Sequence, residues 1–220
     1  MLEPLTLNSL PLFPLGSVLF PGGLLPLQIF EVRYLDMIKK CYKAGAPFGV
    51  VSLTVGAEVR KPDNSNQPSG DGFATEVFHN VGTLATITEM TSPQPGLLVI
   101  RCVGTQRFEI TQREKLKHGL WVANVSKLDG DQAVAIPDDL KDVANALGKL
   151  IQSLQSRGVP TEQMPLLEPY ELSDCGWVAN RWCELLPIQP DLRQRMMALD
   201  NPLLRLELVG DILERTGISP

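Results

Sequence analysis

The sequence has little of what most enzyme active sites require. Only two histidines, His79 and His118, occur among its 220 residues, and they are far apart in the chain. Histidine is the commonest general acid or base in catalysis. The sequence also lacks a GxxxxGK[ST] phosphate-binding loop, a GxGxxG turn after a strand, an HExxH helix and a GxSxG elbow. These absences predict a protein with no catalytic residues, no cofactor and no bound metal ion.

Cysteine is also scarce, and it is not arranged in pairs. The four cysteines, Cys41, Cys102, Cys175 and Cys183, form no CxxC motif. A chain of this length can build a core without disulfides, so we expect reduced and mostly buried thiols in a cytoplasmic protein. A small hydrolase that uses a Cys or Ser nucleophile is the first alternative, although nothing in the sequence brings a cysteine and a histidine together.

Long uninterrupted apolar runs are missing as well. Residues 1–30 are strongly apolar, but five prolines break them up and no basic segment precedes them. Proline inside a helix removes a hydrogen bond, so these residues cannot form one continuous helix. We therefore predict neither a signal peptide nor a membrane partner.

The charge of the chain is acidic and uneven. The net charge is −5, and residues 161–220 contain ten acidic residues, five arginines and no lysine. This balance argues against a nucleic-acid partner, which needs clustered positive charge. Residues 101–117 are an exception to this acidic balance, because they contain five basic residues and only two glutamates. An RNA-binding module is the second alternative, but alternation along a strand would divide these charges between two faces.

Short apolar runs bounded by proline and glycine dominate the first 130 residues. They predict strands at 10–13, 17–20, 24–30, 48–53, 81–90, 97–103, 106–111 and 120–128, with a bend or bulge at Gly104-Thr105. One helix is predicted at 31–44, where apolar residues recur at helical spacing before Gly45. Residues 56–72 are polar and aperiodic, which indicates a surface loop.

Helical spacing dominates the rest of the chain. Helices are predicted at 138–157, 173–186, 191–199 and from 202 to about 216, with Ser173 and Asn201 as N-caps. Strands that come first and helices that come last are typical of the α+β class. We predict a β-rich domain at 1–130, which could be a curled sheet or a small barrel, and a helical domain at 131–220.

The densest motif lies at residues 10–38, LPLFPLGSVLFPGGLLPLQIFEVRYLDMI. With Val81-Gly82-Thr83, Val103-Gly104, Arg107-Phe108 and Leu185-Leu186-Pro187, it resembles the LON substrate-binding domain family, the N-terminal domain of the ATP-dependent Lon protease. Asp174-Cys175-Gly176-Trp177 is similar to the Asp-Pro-Gly-Trp of that family, with Cys175 in place of proline. The resemblance covers nearly all of the chain.

The resemblance implies a fold and a role. The fold would be a PUA-like pseudo-barrel with one helix, followed by a helical bundle. The role would be non-catalytic capture of unfolded or extended polypeptide, or of another protein partner, because the sequence contains neither the ATPase nor the peptidase motifs of the protease. The oligomeric state is left open.

Motif residues from the strand-to-helix corner are the candidate substrate contacts. They are Phe13, Pro14, Phe20, Pro21, Phe30, Arg33 and Tyr34. The three phenylalanines are equally explained as core residues, and Pro14 and Pro21 suit turns or sheet edges. Glu31 and Arg33 are two residues apart and would not meet on one helix, so we expect Arg33 to pair elsewhere.

Overall fold

The computed structural model describes residues 6–59, 61–63 and 73–217. Contacts divide the chain into two units. Unit 1 comprises the chain up to Pro21 and Leu25–Asp129, and unit 2 comprises Gly22–Leu24 and the chain from Gly130. Most of the predicted loop at 56–72, namely residue 60 and residues 64–72, lies outside the described residues.

The part of unit 1 that the structure describes is built from strands and one helix. The strands are β1 (Thr6–Leu15), β2 (Leu24–Ile29), β3 (Phe48–Val55), β4 (Val77–Phe78), β5 (Val81–Gln94), β6 (Leu97–Lys115) and β7 (Trp121–Lys127), and the helix is α1 (Val32–Ala44). This early helix lies where it was predicted, and together with the helices of unit 2 the β-rich sheet gives a mixed α and β fold.

Five of these strands close into a ring. The order is β1-β7-β6-β5-β3, and β3 pairs in parallel with β1 to complete it, while the other pairings in the ring are antiparallel. Closure leaves no free edge within the ring. Apolar clusters lie on opposite faces of β1: Leu10 and Leu12 belong to one, Phe13 and Leu15 to the other. Beyond Leu12, β3 is the one described strand that still pairs with β1, which suits the missing donor of Pro14.

The long strand β6 corrects two of the strand predictions. The separate strands expected at 97–103 and 106–111 are one strand of 19 residues, because the irregularity at Gly104-Thr105 is a bulge that shifts register without ending the strand. Residues 17–20, predicted as a strand, are irregular. They lie across β5 and β6 instead: Thr83 Oγ1 donates a hydrogen bond to the Leu19 carbonyl at 2.6 Å.

Helix α1 forms where two local signals agree. Its apolar residues Tyr34, Met37, Ile38 and Cys41 recur on one face and are buried against the strands. Gly45 ends the helix with a φ of 60°, a left-handed conformation that favours glycine, as predicted.

The described residues of unit 2 form four α-helices. They are α2 (Lys141–Ser156), α3 (Cys175–Leu185), α4 (Pro190–Ala198) and α5 (Pro202–Thr216). Asn201 caps α5 as predicted, and its side chain accepts a hydrogen bond from Leu204 N at 3.1 Å. The predicted cap Ser173 is wrong, because Asp174 caps α3 by accepting from Trp177 N at 2.7 Å. Among the described helices, none is both long and apolar enough to cross a membrane.

A buried arginine organises the core of unit 2. Arg205 on α5 is 1% exposed and donates to Asn180 Oδ1 at 2.9 Å and to the Met196 carbonyl at 2.9 Å. Its guanidinium also forms an ion pair with Asp131. A buried charge without such partners would be costly, so this network joins α3, α4 and α5 to the segment that precedes α2.

The close approach at Gly104 generates a stability prediction. A Cβ built on Gly104 would lie 2.2 Å from the Phe20 carbonyl oxygen, which is backbone and cannot rotate away. We expect Gly104→Ala to lower the free energy of unfolding by about 2 kcal/mol, as overpacking does. Urea denaturation measures the change. The control is Gly130→Ala, where a Cβ would meet nothing within 4 Å. Equal stability of the two variants would contradict the close packing of Gly104 against the Phe20 carbonyl.

Candidate functional site

The corner between β2 and α1 is held by the buried guanidinium of Arg33. Its side chain is 3% exposed, and Nη1 donates to Glu76 Oε1 at 2.9 Å and to the Gly119 carbonyl at 3.2 Å. Glu76 also accepts from Trp121 Nε1 at 2.9 Å. This network ties α1 to the segment before β4 and to the turn between β6 and β7.

Arg33 also pairs with Glu31, contrary to the sequence prediction. Arg33 Nε donates to Glu31 Oε2 at 3.1 Å. The helical spacing rule does not apply, because Glu31 is the N-cap residue and has extended backbone, with φ −72° and ψ 131°. The expected partner elsewhere in the chain exists as well, and it is Glu76.

Aromatic side chains line a small cavity at the same corner. The rings of Phe13 and Tyr34 stack with centroids 4.0 Å apart, and Arg33 lies over the Tyr34 ring at 4.5 Å. Phe13, Tyr34 and the half-exposed ring of Phe30 contribute to a cavity of about 160 Å³. This cavity is too small for more than one side chain of a ligand.

A larger, mostly apolar groove runs along the other side of α1. Its volume is about 530 Å³, and we call it the α1 groove. It is lined by Pro11, Val32, Arg33, Asp36, Met37, Lys40, Cys41, Leu116, His118, Leu120 and Val122. Concave apolar sites with a few polar groups are where proteins usually bind ligands.

The two walls of the α1 groove are fixed relative to each other. One wall is α1, and the other is the 116–120 turn, in which Gly119 N donates to the Leu116 carbonyl at 2.7 Å. The bond from Arg33 Nη1 to the Gly119 carbonyl joins the walls. The groove is therefore held open by the fold itself.

The predicted contact residues divide into buried and accessible ones. Phe13, Pro14, Phe20, Arg33 and Tyr34 are buried, Pro21 is half-buried and Phe30 is 54% exposed. Phe13, Phe30 and Tyr34 come together at the small cavity, and Arg33 alone lines the α1 groove. The burial of five of the seven explains them as fold-determining residues, and their role as ligand contacts stays a prediction.

Sequence reasoning missed most of the α1 groove. Val32 is an apolar residue on the exposed face of α1, where it is 84% exposed. An apolar residue on the polar face of an amphipathic helix was the one sequence signal that could have indicated the groove. The opposite wall, Leu116 to Val122, is brought to α1 by the pairing of β7 with β1 and β6. No local sequence pattern predicts such a long-range contact.

The cysteines are arranged as core residues. All four are free and buried. Burial raises the pKa of the Cys102 and Cys183 thiols to about 12 and also raises the pKa of Cys41 and Cys175. A nucleophilic cysteine needs the opposite shift, because the thiolate is the reactive form.

The basic residues of 101–117 are dispersed. Arg107 is buried, and its Nη2 donates to the Asp129 carbonyl at 3.2 Å. Arg113 lies over the Phe78 ring at 4.6 Å, and Lys115 lies 3.9 Å from Glu76. These side chains therefore do not present the continuous positive surface that a nucleic acid requires.

Comparison with known proteins gives one consistent result. Residues 9–215 match the family model described as the ATP-dependent protease La (LON) substrate-binding domain. The chain is 31% identical over 107 residues to a Lon protease of Cytophaga hutchinsonii and 28% identical over 161 residues to one of Flavobacterium johnsoniae. These matches cover 48% and 70% of this chain but only 12% and 18% of the proteases.

Comparison with solved structures also finds Lon N-terminal domains. A Lon N-terminal domain protein from Xanthomonas campestris is similar with a TM-score of 0.68 and 29% identity, over 92% of this chain and 97% of that one. The N-terminal domain of the Mycobacterium avium complex Lon protease has a TM-score of 0.53 and 14% identity, over 93% and 97%. The second likeness shows a shared fold only.

The ion cluster at the corner generates a second prediction. We expect Arg33→Met to lower the free energy of unfolding by about 3 kcal/mol, because Glu31 and Glu76 lose their shared cation and Glu76 is 4% exposed. Lys40→Met on the same helix is the matched control. It removes the exposed pair with Asp36, which contributes about 0.5 kcal/mol or less. Chemical denaturation measures the free energy of unfolding of both variants. Equal losses of stability would contradict a structural role for Arg33.

Proposed function

Because the chain belongs to the LON substrate-binding domain family, we propose that it is a non-catalytic module that binds unfolded or extended polypeptide in the α1 groove. Protein or polypeptide is the partner that the family description supports. The observation that carries the proposal is the groove itself, which is apolar, about 530 Å³ in volume and already formed.

The dimensions of the groove suit a short extended segment. Its residues on α1 run from Val32 to Cys41, which at 1.5 Å per residue is about 14 Å of helix. An extended chain advances about 3.3 Å per residue, so about four residues would fit along this wall. The buried Met37 side chain contributes to the floor, and methionine adapts to ligands of different shape.

Absence of catalysis is part of the proposal. The relatives named Lon protease are six to eight times longer than the part that matches, so their activity is not carried over to this chain. The raised pKa of all four cysteine thiols supports a chain that binds without chemistry. Free thiols also agree with the cytoplasmic location that we propose.

We further propose the finer description of the fold. The closed five-stranded ring supports a PUA-like pseudo-barrel for the β-rich part. The network of Arg205, which joins α3, α4 and α5, supports a helical bundle for the rest. Domain limits of 1–130 and 131–220 remain our proposal for how the chain is organised.

Peptide binding is the direct test. A fluorescent peptide with four central apolar residues and neutral serine flanks should bind saturably in the micromolar to hundreds-of-micromolar range by fluorescence anisotropy. Val32→Ser should weaken binding about fivefold, because about 1 kcal/mol of apolar contact is lost at an exposed position of the wall.

The matched control for this test is Leu204→Ser. Leu204 is 41% exposed in the first turn of α5, as Val32 is exposed in the first turn of α1, but it belongs to unit 2 and does not line the groove. Its substitution should leave the affinity unchanged. No saturable binding at low salt, or an equal effect of the two substitutions, would overturn the proposed function.

Thiol labelling tests the non-catalytic character. We expect the native chain to react slowly with iodoacetamide at pH 7.5, because burial raises the pKa of every cysteine thiol, and we expect four rapid modifications in denaturant. Mass spectrometry counts the adducts. Rapid labelling of a single cysteine in the folded chain would favour the hydrolase alternative.

A further inference from the structure

Exposed lysines lie at and beside the α1 groove in a chain that is acidic as a whole. Val32, Asp36, Lys39 and Lys43 follow one another at spacings of four, three and four residues, which places them on one stripe of α1. Val32 and Asp36 line the groove, so the two lysines continue its rim toward the C-terminal end of the helix. Both lysines are exposed.

Other charges at the groove add to this excess. Lys40 lines the groove and pairs with Asp36 at 2.7 Å, so Asp36 is already compensated. Lys117 is exposed in the turn that forms the opposite wall. Glu114, which precedes this turn, lines a different cavity together with Ser9 and Asn124.

The other charges near the groove do not cancel the excess. Arg33 and Lys115 are matched by Glu31 and Glu76, which lie within ion-pair distance of them. Four exposed lysines, at positions 39, 40, 43 and 117, are thus left against the single exposed aspartate Asp36. The chain has a net charge of −5, so this local excess of three positive charges runs against its overall balance.

We propose that the α1 groove selects an extended apolar segment of a partner polypeptide that is flanked by Asp or Glu. This rests on the proposed function and names the substrate class of the same site. The apolar floor would take the central side chains, and the lysines of the rim would attract the acidic flanks. Charges placed around an apolar contact set specificity and association rate more than total affinity.

The test compares three peptides that share one apolar centre and carry flanks of serine, aspartate or lysine. In low salt we expect the aspartate peptide to bind about fivefold more tightly than the serine peptide, and the lysine peptide more weakly than either. The advantage of aspartate should shrink at 0.5 M salt, because the charges are exposed and screened.

A pair of charge reversals assigns the effect to the rim. Lys39→Glu with Lys43→Glu should abolish the preference for aspartate and leave binding of the serine peptide within twofold of wild type. Lys149→Glu with Arg195→Glu changes the net charge by the same amount at exposed positions of unit 2, and it should preserve the preference.

Each outcome separates this proposal from the one it rests on. Saturable binding of the serine peptide without any effect of the flanks would overturn the acidic preference and leave peptide binding in place. Failure of all three peptides would overturn both. Equal loss of preference in the two charge-reversed variants would overturn the role of the rim. Concentration-dependent dimerisation that Val32→Ser abolishes, seen by analytical ultracentrifugation, would show that a second copy occupies the groove and would also overturn the proposal.

Discussion

The bond from Arg33 to the Gly119 carbonyl is the constraint on which the candidate site depends. It joins α1 to the 116–120 turn, which are the two walls of the α1 groove. The same guanidinium meets Glu31 before the helix and Glu76 before β4. A buried ion pair is weak evidence for net stability, because its desolvation offsets much of the attraction. Its directional bonds do specify one arrangement of these segments.

Preformed walls change the energetics of binding a flexible peptide. An extended segment loses conformational freedom when it binds, at a cost of about 1–2 kcal/mol per backbone residue. A groove that also had to order its own turn would bear a further entropic cost. The fixed turn and helix avoid that second cost, which favours the polypeptide binding that we propose for the α1 groove. Weak, reversible binding is what substrate capture requires, because a client must also be released.

Local signals predicted the parts of the fold that local interactions determine. Gly45, Asn201 and Pro202 end or begin helices where the sequence placed them, since capping depends on neighbouring residues. The prediction of separate strands on either side of Gly104 failed because the bulge there interrupts only the register, and the pairing with β5 carries one strand through it. Residues 17–20 have the composition of a strand, but Thr83 and the backbone near Gly104 hold them across the sheet.

The α1 groove was harder to predict from the sequence than the helix ends were, because residues distant in the chain form it. The motif residues Phe13, Phe20 and Tyr34 were predicted as ligand contacts because they are aromatic. Their burial in the core explains them without a ligand. The proposed binding surface includes instead residues that the core does not use, such as Val32 on α1 and His118 in the 116–120 turn, which are exposed. Val32 contributes nothing to the packing of α1, because it is almost completely exposed. An apolar residue that the fold leaves in water, beside a groove that the fold keeps open, is therefore better evidence of a binding site than the motif that identifies the family.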